Sequence, residues 1–125
     1  ALRFMAGLPR AAPPGTRWNY STGETFILGA IVEGAVKKPL ATYLSEKIWS
    51  KAGMESDASW WLESPEGAGF GGSGIGATLR DYGRFAQFVL DDGKIGDTHV
   101  VPDGWFAQAG APITPGGKQV LYGYM

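Results

Sequence analysis

From residue 21 onward the apolar positions fall into three helical stripes separated by turns. The first stripe runs Ile27, Ala30, Ile31 and Gly34, the i, i+3, i+4, i+7 spacing of one helical face. It is preceded by Ser21-x-x-Glu24, the capping-box spacing in which each side chain can reach the other's backbone N–H. Lys37 and Lys38 stand where cations favour a helix C-terminus. A second stripe of Leu40, Leu44 and Ile48, with Tyr43, starts behind Pro39 and stops at Gly53. So short a link predicts an antiparallel helix pair. A third stripe, Leu79, Tyr82, Ala86 and Val89 with Phe85 and Phe88 alongside, starts at Thr78-x-x-Asp81 and ends near Asp92-Gly93.

Between and around these helices the pattern breaks. Pro9, Pro13, Pro14 and Gly15 make residues 9–19 a loop. Residues 54–77 form a long irregular stretch with glycines crowded into its second half. Such a loop in a compact domain is functional or disordered, and Trp60, Trp61 and Phe70 argue for order. Residues 94–99 read as a turn-rich connection, the segment after Pro102 as a short helix, and "KQVLYGYM" as the start of a strand. The fold class is mostly α.

Composition narrows the function. At 125 residues and 44% apolar, the chain can bury a core. Eleven basic residues against twelve acidic ones leave no basic field for a nucleic acid. No Cys is present and His99 is the only His, which excludes thiolate sites, cysteine nucleophiles and a multi-His zinc site within these residues. No run reaches the length of a membrane span. The opening residues are not a signal peptide. The chain starts without Met and stops in mid-pattern, so the expectation is an internal piece of a longer protein.

Several chemistries can be weighed on these residues. "GSGIGA" at 72–77 matches G-x-G-x-x-A, but a dinucleotide site needs a strand before it, and "ESPEGAGF" is not one. "GGSGI" at 71–75 misses G-x-S-x-G at its last position. Trp60 and Trp61 sit next to each other and should point to opposite faces of an extended segment, one buried and one lining a cleft. Tyr20 lies directly ahead of the first capped helix. A phenol ionises near ~10 and is a poor base at neutral pH unless cations stabilise the phenolate. So stabilised, it can carry a proton from a Ser hydroxyl to a leaving group. The bland alternative is a packed Tyr ahead of an ordinary helix.

Two stretches tip the balance. "PPGTRWNYSTGETFILGAIVE" and "GFGGSGIGATLRDYGRFAQFVLDDGKI" together resemble the serine β-lactamase and penicillin-binding protein superfamily. Within it they resemble the class C β-lactamase-like branch with its esterases and 6-aminohexanoate-dimer hydrolases. The resemblance implies a partial domain over 1–125, the helical lobe of an α+β fold, with Tyr20 as catalytic Tyr and Ser21 as its neighbour. Thr22 stands where Asn is frequent, a departure that favours ester or amide substrates over β-lactams. Trp60, Trp61, Gly72, Ser73 and Gly74 become the candidate substrate-binding residues. The substrate would be a small molecule or peptide-like, and neither metal nor other cofactor is implied. The family's nucleophile lies in S-x-x-K. No Ser here has Lys three residues on. The nucleophile is therefore expected upstream and the K-T-G or H-x-G strand downstream, and these 125 residues alone are expected to be inactive. The alternative is a non-catalytic module binding peptide, cell-wall or sugar ligands through the Trp60-Trp61 and glycine-rich loop.

Overall fold

The computed structural model describes residues 1–123. A short helix, α1 (Leu2–Ala6), which the sequence pattern does not announce, lies against the start of the long helix α2 (Thr22–Val36). The contact is close: a methyl at Gly23 would meet the Met5 sulfur at 2.5 Å. Helix α2 begins as the sequence predicts. Ser21 is its N-cap, and its hydroxyl accepts the Glu24 N–H at 3.3 Å. It ends on Lys37, which takes the left-handed conformation at φ 57°.

The face that α2 buries differs from the predicted one. Phe26 and Gly29 are buried, whereas Ile31 and Gly34 of the expected stripe are exposed. The reason is legible in the helix itself. Its composition is apolar nearly all round, with only Glu24 and Glu33 charged, so periodicity cannot choose a face.

Gly29 decides it. The Gly71 backbone approaches so closely that a methyl at Gly29 would lie 2.8 Å from the Gly71 Cα. A methyl at Gly71 would lie 2.7 Å from the Thr25 carbonyl oxygen. Beside this crossing, Phe26 and Phe70 meet edge to face at 5.2 Å, and Leu40 closes the cluster.

Helix α3 (Leu40–Leu44) follows α2 through Lys37–Pro39 and widens into a π-helical turn, Ser45–Trp49. Its first N–H is satisfied from the previous helix, since Glu33 Oε1 accepts the Leu40 N–H at 3.0 Å. Gly53 ends the segment at φ 71°.

The long stretch 54–77 is ordered as a β structure. Strand β1 (Ser59–Trp60) pairs antiparallel with β2 (Ile75–Gly76), in the register Ser59 to Gly76 and Trp60 to Ile75. A bridge from Leu62 to Gly69 continues the ladder inside it. Because β2 falls within the glycine run rather than ahead of it, the dinucleotide-binding context is absent.

Helix α4 (Leu79–Leu90) starts at Thr78, whose hydroxyl accepts the Asp81 N–H at 3.2 Å. Again the buried face is not the apolar stripe. Leu79 is 88% exposed, Tyr82 and Ala86 are exposed, and the buried residues are Asp81 and Phe88. A hydrophobic pattern cannot nominate a carboxylate as a core position. Asp81 is fully buried because everything around it donates. It accepts the Glu55 N–H at 2.8 Å, the Ser56 N–H at 3.2 Å and the Thr78 hydroxyl at 2.9 Å, and pairs with Arg84 at 3.2 Å. The Glu55 N–H holds its pKa below the ordinary 3.8 more than any other partner, with Thr78, Ser56 and Arg84 adding, against the upward push of burial. Arg84 is itself held more firmly charged, chiefly by its hydrogen bond to Glu55.

After α4, Asp92 and Gly93 turn the chain with positive φ. The predicted turn-rich connection is a small hairpin, β3 (Lys94–Ile95) with β4 (Thr98–His99). Helix α5 (Trp105–Gly110) brings Phe106 edge-on to Phe88 at 5.9 Å, which makes a second aromatic cluster with Phe85. The strand expected over "KQVLYGYM" is reduced, among the described residues, to one bridge between Ile113 and Val120; Tyr124 and Met125 lie outside the described residues. Helix predominates, and among the described residues no helix is long and apolar enough to cross a membrane.

Gly29→Ala is expected to destabilise by about 1–3 kcal/mol, because the obstacle is backbone. Gly34→Ala on the same helix meets nothing within 4 Å and is expected to stabilise by up to ~1 kcal/mol. Urea denaturation of both variants checks the contrast. Asp81 has a depressed folded pKa, so its contribution is present above about 3.8 and is lost as pH falls from there toward the folded value. Asp81→Asn is therefore expected to be less stable at pH 7, with a gap from the parent that shrinks below pH 3.8 in unfolding curves recorded from pH 7 to pH 2.

Candidate functional site

Tyr20 stands directly ahead of the Ser21 cap, whose own backbone is extended at φ −142° and ψ 101°. Two bonds involving side chains hold the helix start, beside the backbone bond from the Thr25 N–H to Ser21 O at 3.2 Å. Ser21 Oγ accepts from Glu24, and Ser21 O accepts the Thr25 hydroxyl at 3.1 Å. Among the described residues the reciprocal arm of the capping box, from Glu24 to the Ser21 N–H, is not formed, so Ser21 alone supplies the cap.

Tyr20 is 59% exposed. Its ring lies 6.5 Å from Trp18 and meets Tyr122 edge-on at 6.2 Å, while Trp18 and Tyr122 are 5.9 Å apart. The three rings brace one another and leave the Tyr20 hydroxyl without a hydrogen bond among the described residues. Residue 18 shares a face with residue 20 in an extended chain, so Trp18 could have been nominated from spacing. Tyr122 could not, because it is a hundred residues away in sequence.

The Gly29–Gly71 crossing brings the glycine-rich loop to this helix start. One residue beyond it, a methyl at Gly72 would touch the Thr22 Cγ2 at 3.0 Å. Thr22 and Gly72, both expected site residues, are thus in contact. Ser73 is exposed, and its N–H closes a turn onto the Phe70 carbonyl at 3.4 Å. Gly74 has φ 94°, and the Trp61 side chain sits directly on it. A methyl there would lie 2.7 Å from the Trp61 Cβ.

The two tryptophans differ as alternation requires. Trp60 is half-buried, and its indole N–H donates to the Phe70 carbonyl at 2.9 Å. Trp61 is 69% exposed. Tyr20, Thr22, Gly72 and Ser73 therefore belong to one neighbourhood, Trp61 and Gly74 to its continuation along the loop, and Trp60 to the other side of β1. Chemically, the neighbourhood offers an exposed phenol ahead of a capped helix start, hydroxyls at Thr22 and Ser73, and an open aromatic face. His99 is elsewhere, in β4, paired with Asp103 at 3.3 Å.

A family model described as Beta-lactamase matches residues 1–125. No curated protein matches the sequence. Among solved structures, a provisionally assigned 6-aminohexanoate-dimer hydrolase from Bacillus anthracis is similar, with a TM-score of 0.78 and 30% identity. The match covers 92% of this chain and 31% of that one, so the chain spans about a third of the relative's length.

Ser21→Ala should cost about 1 kcal/mol of stability through the lost cap. The check is thermal unfolding together with amide exchange at residues 22–25, which should quicken more than exchange at residues 30–36.

Proposed function

The chain belongs to the Beta-lactamase family, and on that premise we propose that it is part of a serine hydrolase in which Tyr20 shuttles the proton. Residues 1–125 are then a partial domain, the helical lobe of a two-lobed α+β fold. The nucleophilic Ser and its Lys come from an S-x-x-K segment that these residues do not contain. The Ser oxygen attacks an ester, amide or lactam carbonyl, and its proton passes to the Tyr20 oxygen, whose phenolate the Lys ammonium stabilises. The tetrahedral oxyanion is held by backbone N–H groups of a strand that follows. When it collapses, Tyr20 returns the proton to the leaving amine or alkoxide. An acyl-enzyme remains, which water clears.

The observation that carries this reading is the joining of the two motifs. The capped helix start bearing Tyr20 touches the glycine-rich loop at Thr22 and Gly72, although fifty residues separate them. A binding module would not require an exposed phenol fixed at that junction. Thr22 in place of the frequent Asn, together with the description of the similar structure, favours amides and esters over β-lactams. Trp61 then forms an aromatic wall beside the scissile bond, with Ser73 and Gly74 lining the approach.

Tyr20→Phe in the full-length protein is expected to lower kcat by about 10²-fold or more, with an unchanged melting temperature. Esters, linear amides and β-lactams should be assayed in that order, with intact mass reporting the acyl-enzyme. Retained turnover in the variant, or saturable hydrolysis by the isolated 125 residues, would refute the assignment.

A further inference from the structure

On the far side of β1 from Trp61 lies a cavity of about 230 Å³ between α3 with its π-helical turn and the β1–β2 pair. Its walls include Leu44, Trp49, Trp60 and Ile75, and Asp57 lies among the lining residues. We propose that this cavity is a binding site for a small organic ammonium group, separate from the reaction at Tyr20.

Three features point to that chemistry. Both indoles are pinned by their polar edges to backbone carbonyls outside the cavity wall. Trp49 donates to Ser56 O at 2.9 Å, and Trp60 donates to Phe70 O at 2.9 Å. What they offer a ligand is ring surface, whose negative π-face attracts cations, Trp most strongly of the aromatic residues. Second, the lining carries one formal charge, and it is negative. No Lys or Arg lines the cavity. Third, Asp57 makes no ion pair or hydrogen bond among the described residues, although the neighbouring acids Glu55 and Asp81 are both engaged. A carboxylate left free at the mouth of a two-indole cavity complements a cation that is small, partly apolar and poorly hydrated. A methylated ammonium or an alkylammonium fits that description. A compact metal ion does not, because one carboxylate and two serine hydroxyls are a poor ligand set.

The site is on the opposite side of the strand from the proposed chemistry and is read by binding rather than turnover, so its failure is separable from failure of the hydrolase assignment. The test is titration of the full-length protein with tetramethylammonium and with n-butylammonium, following the indole ¹⁵N–¹H resonances of Trp49 and Trp60. Saturable shifts of those two resonances are expected, with n-butanol and butyrate binding at least about tenfold more weakly. Asp57→Asn, a substitution at an exposed position, should weaken binding severalfold without altering the fold. Trp49→Phe should weaken it less. No shift at ~50 mM ligand, equal binding of n-butanol, or unchanged affinity in Asp57→Asn would each overturn the proposal.

Discussion

The crossing of two backbones at Gly29 and Gly71 is the constraint on which the candidate site depends. Side chains keep most helices and loops several ångströms apart. Here both surfaces lack a Cβ, and the loop lies directly on the helix. The approach seats Phe26 against Phe70 and leaves Gly72 against Thr22. Close approach is the property for which glycine is irreplaceable, since any methyl meets backbone rather than a movable side chain. The glycine-rich stretch is therefore not a flexible linker. It is an ordered element shaped to its helix.

A second anchor fixes the rest. Asp81 collects the N–H groups of Glu55 and Ser56, the Thr78 hydroxyl and the Arg84 guanidinium. It thereby ties the chain leaving the π-helical turn to the start of α4. This hub holds both ends of the 54–77 segment, because Ser56 precedes β1 and Thr78 follows β2. A buried carboxylate so fully supplied with donors specifies one geometry, since any other arrangement strands a charge out of water. The long loop is ordered by its two ends and by the ladder between them, without an extensive apolar core of its own.

Within that frame the division of β1 gives each tryptophan a separate surface. Trp61 faces out over Gly74, beside the loop that reaches Tyr20's helix. Trp60 faces the small acidic cavity behind it. The exposed apolar residues of α2 and α4, Ile31 and Leu79 among them, show that the fold does not bury its helices on every side within these residues.

Much of this was readable from local chemistry. Ser21 and Thr78 mark helix starts because a hydroxyl three residues ahead of an N–H satisfies it wherever the helix sits. Gly53 and Gly93 mark turns because their φ values suit glycine. The ordered pair of motifs around Tyr20 and Gly72 sufficed to point to the family. The faces were another matter. Phe26 and Gly29 won over Ile27 and Ile31 because the partner of α2 is a backbone fifty residues away, and an all-round apolar helix carries no record of it. Asp81 could not be recognised as core because its burial depends on donors that only the folded chain assembles. The hairpin pairing of 59–60 with 75–76 and the place of Tyr122 beside Tyr20 are likewise tertiary facts. Local hydrogen bonding was decided by adjacent residues, and close approach and charge burial by residues that meet only on folding.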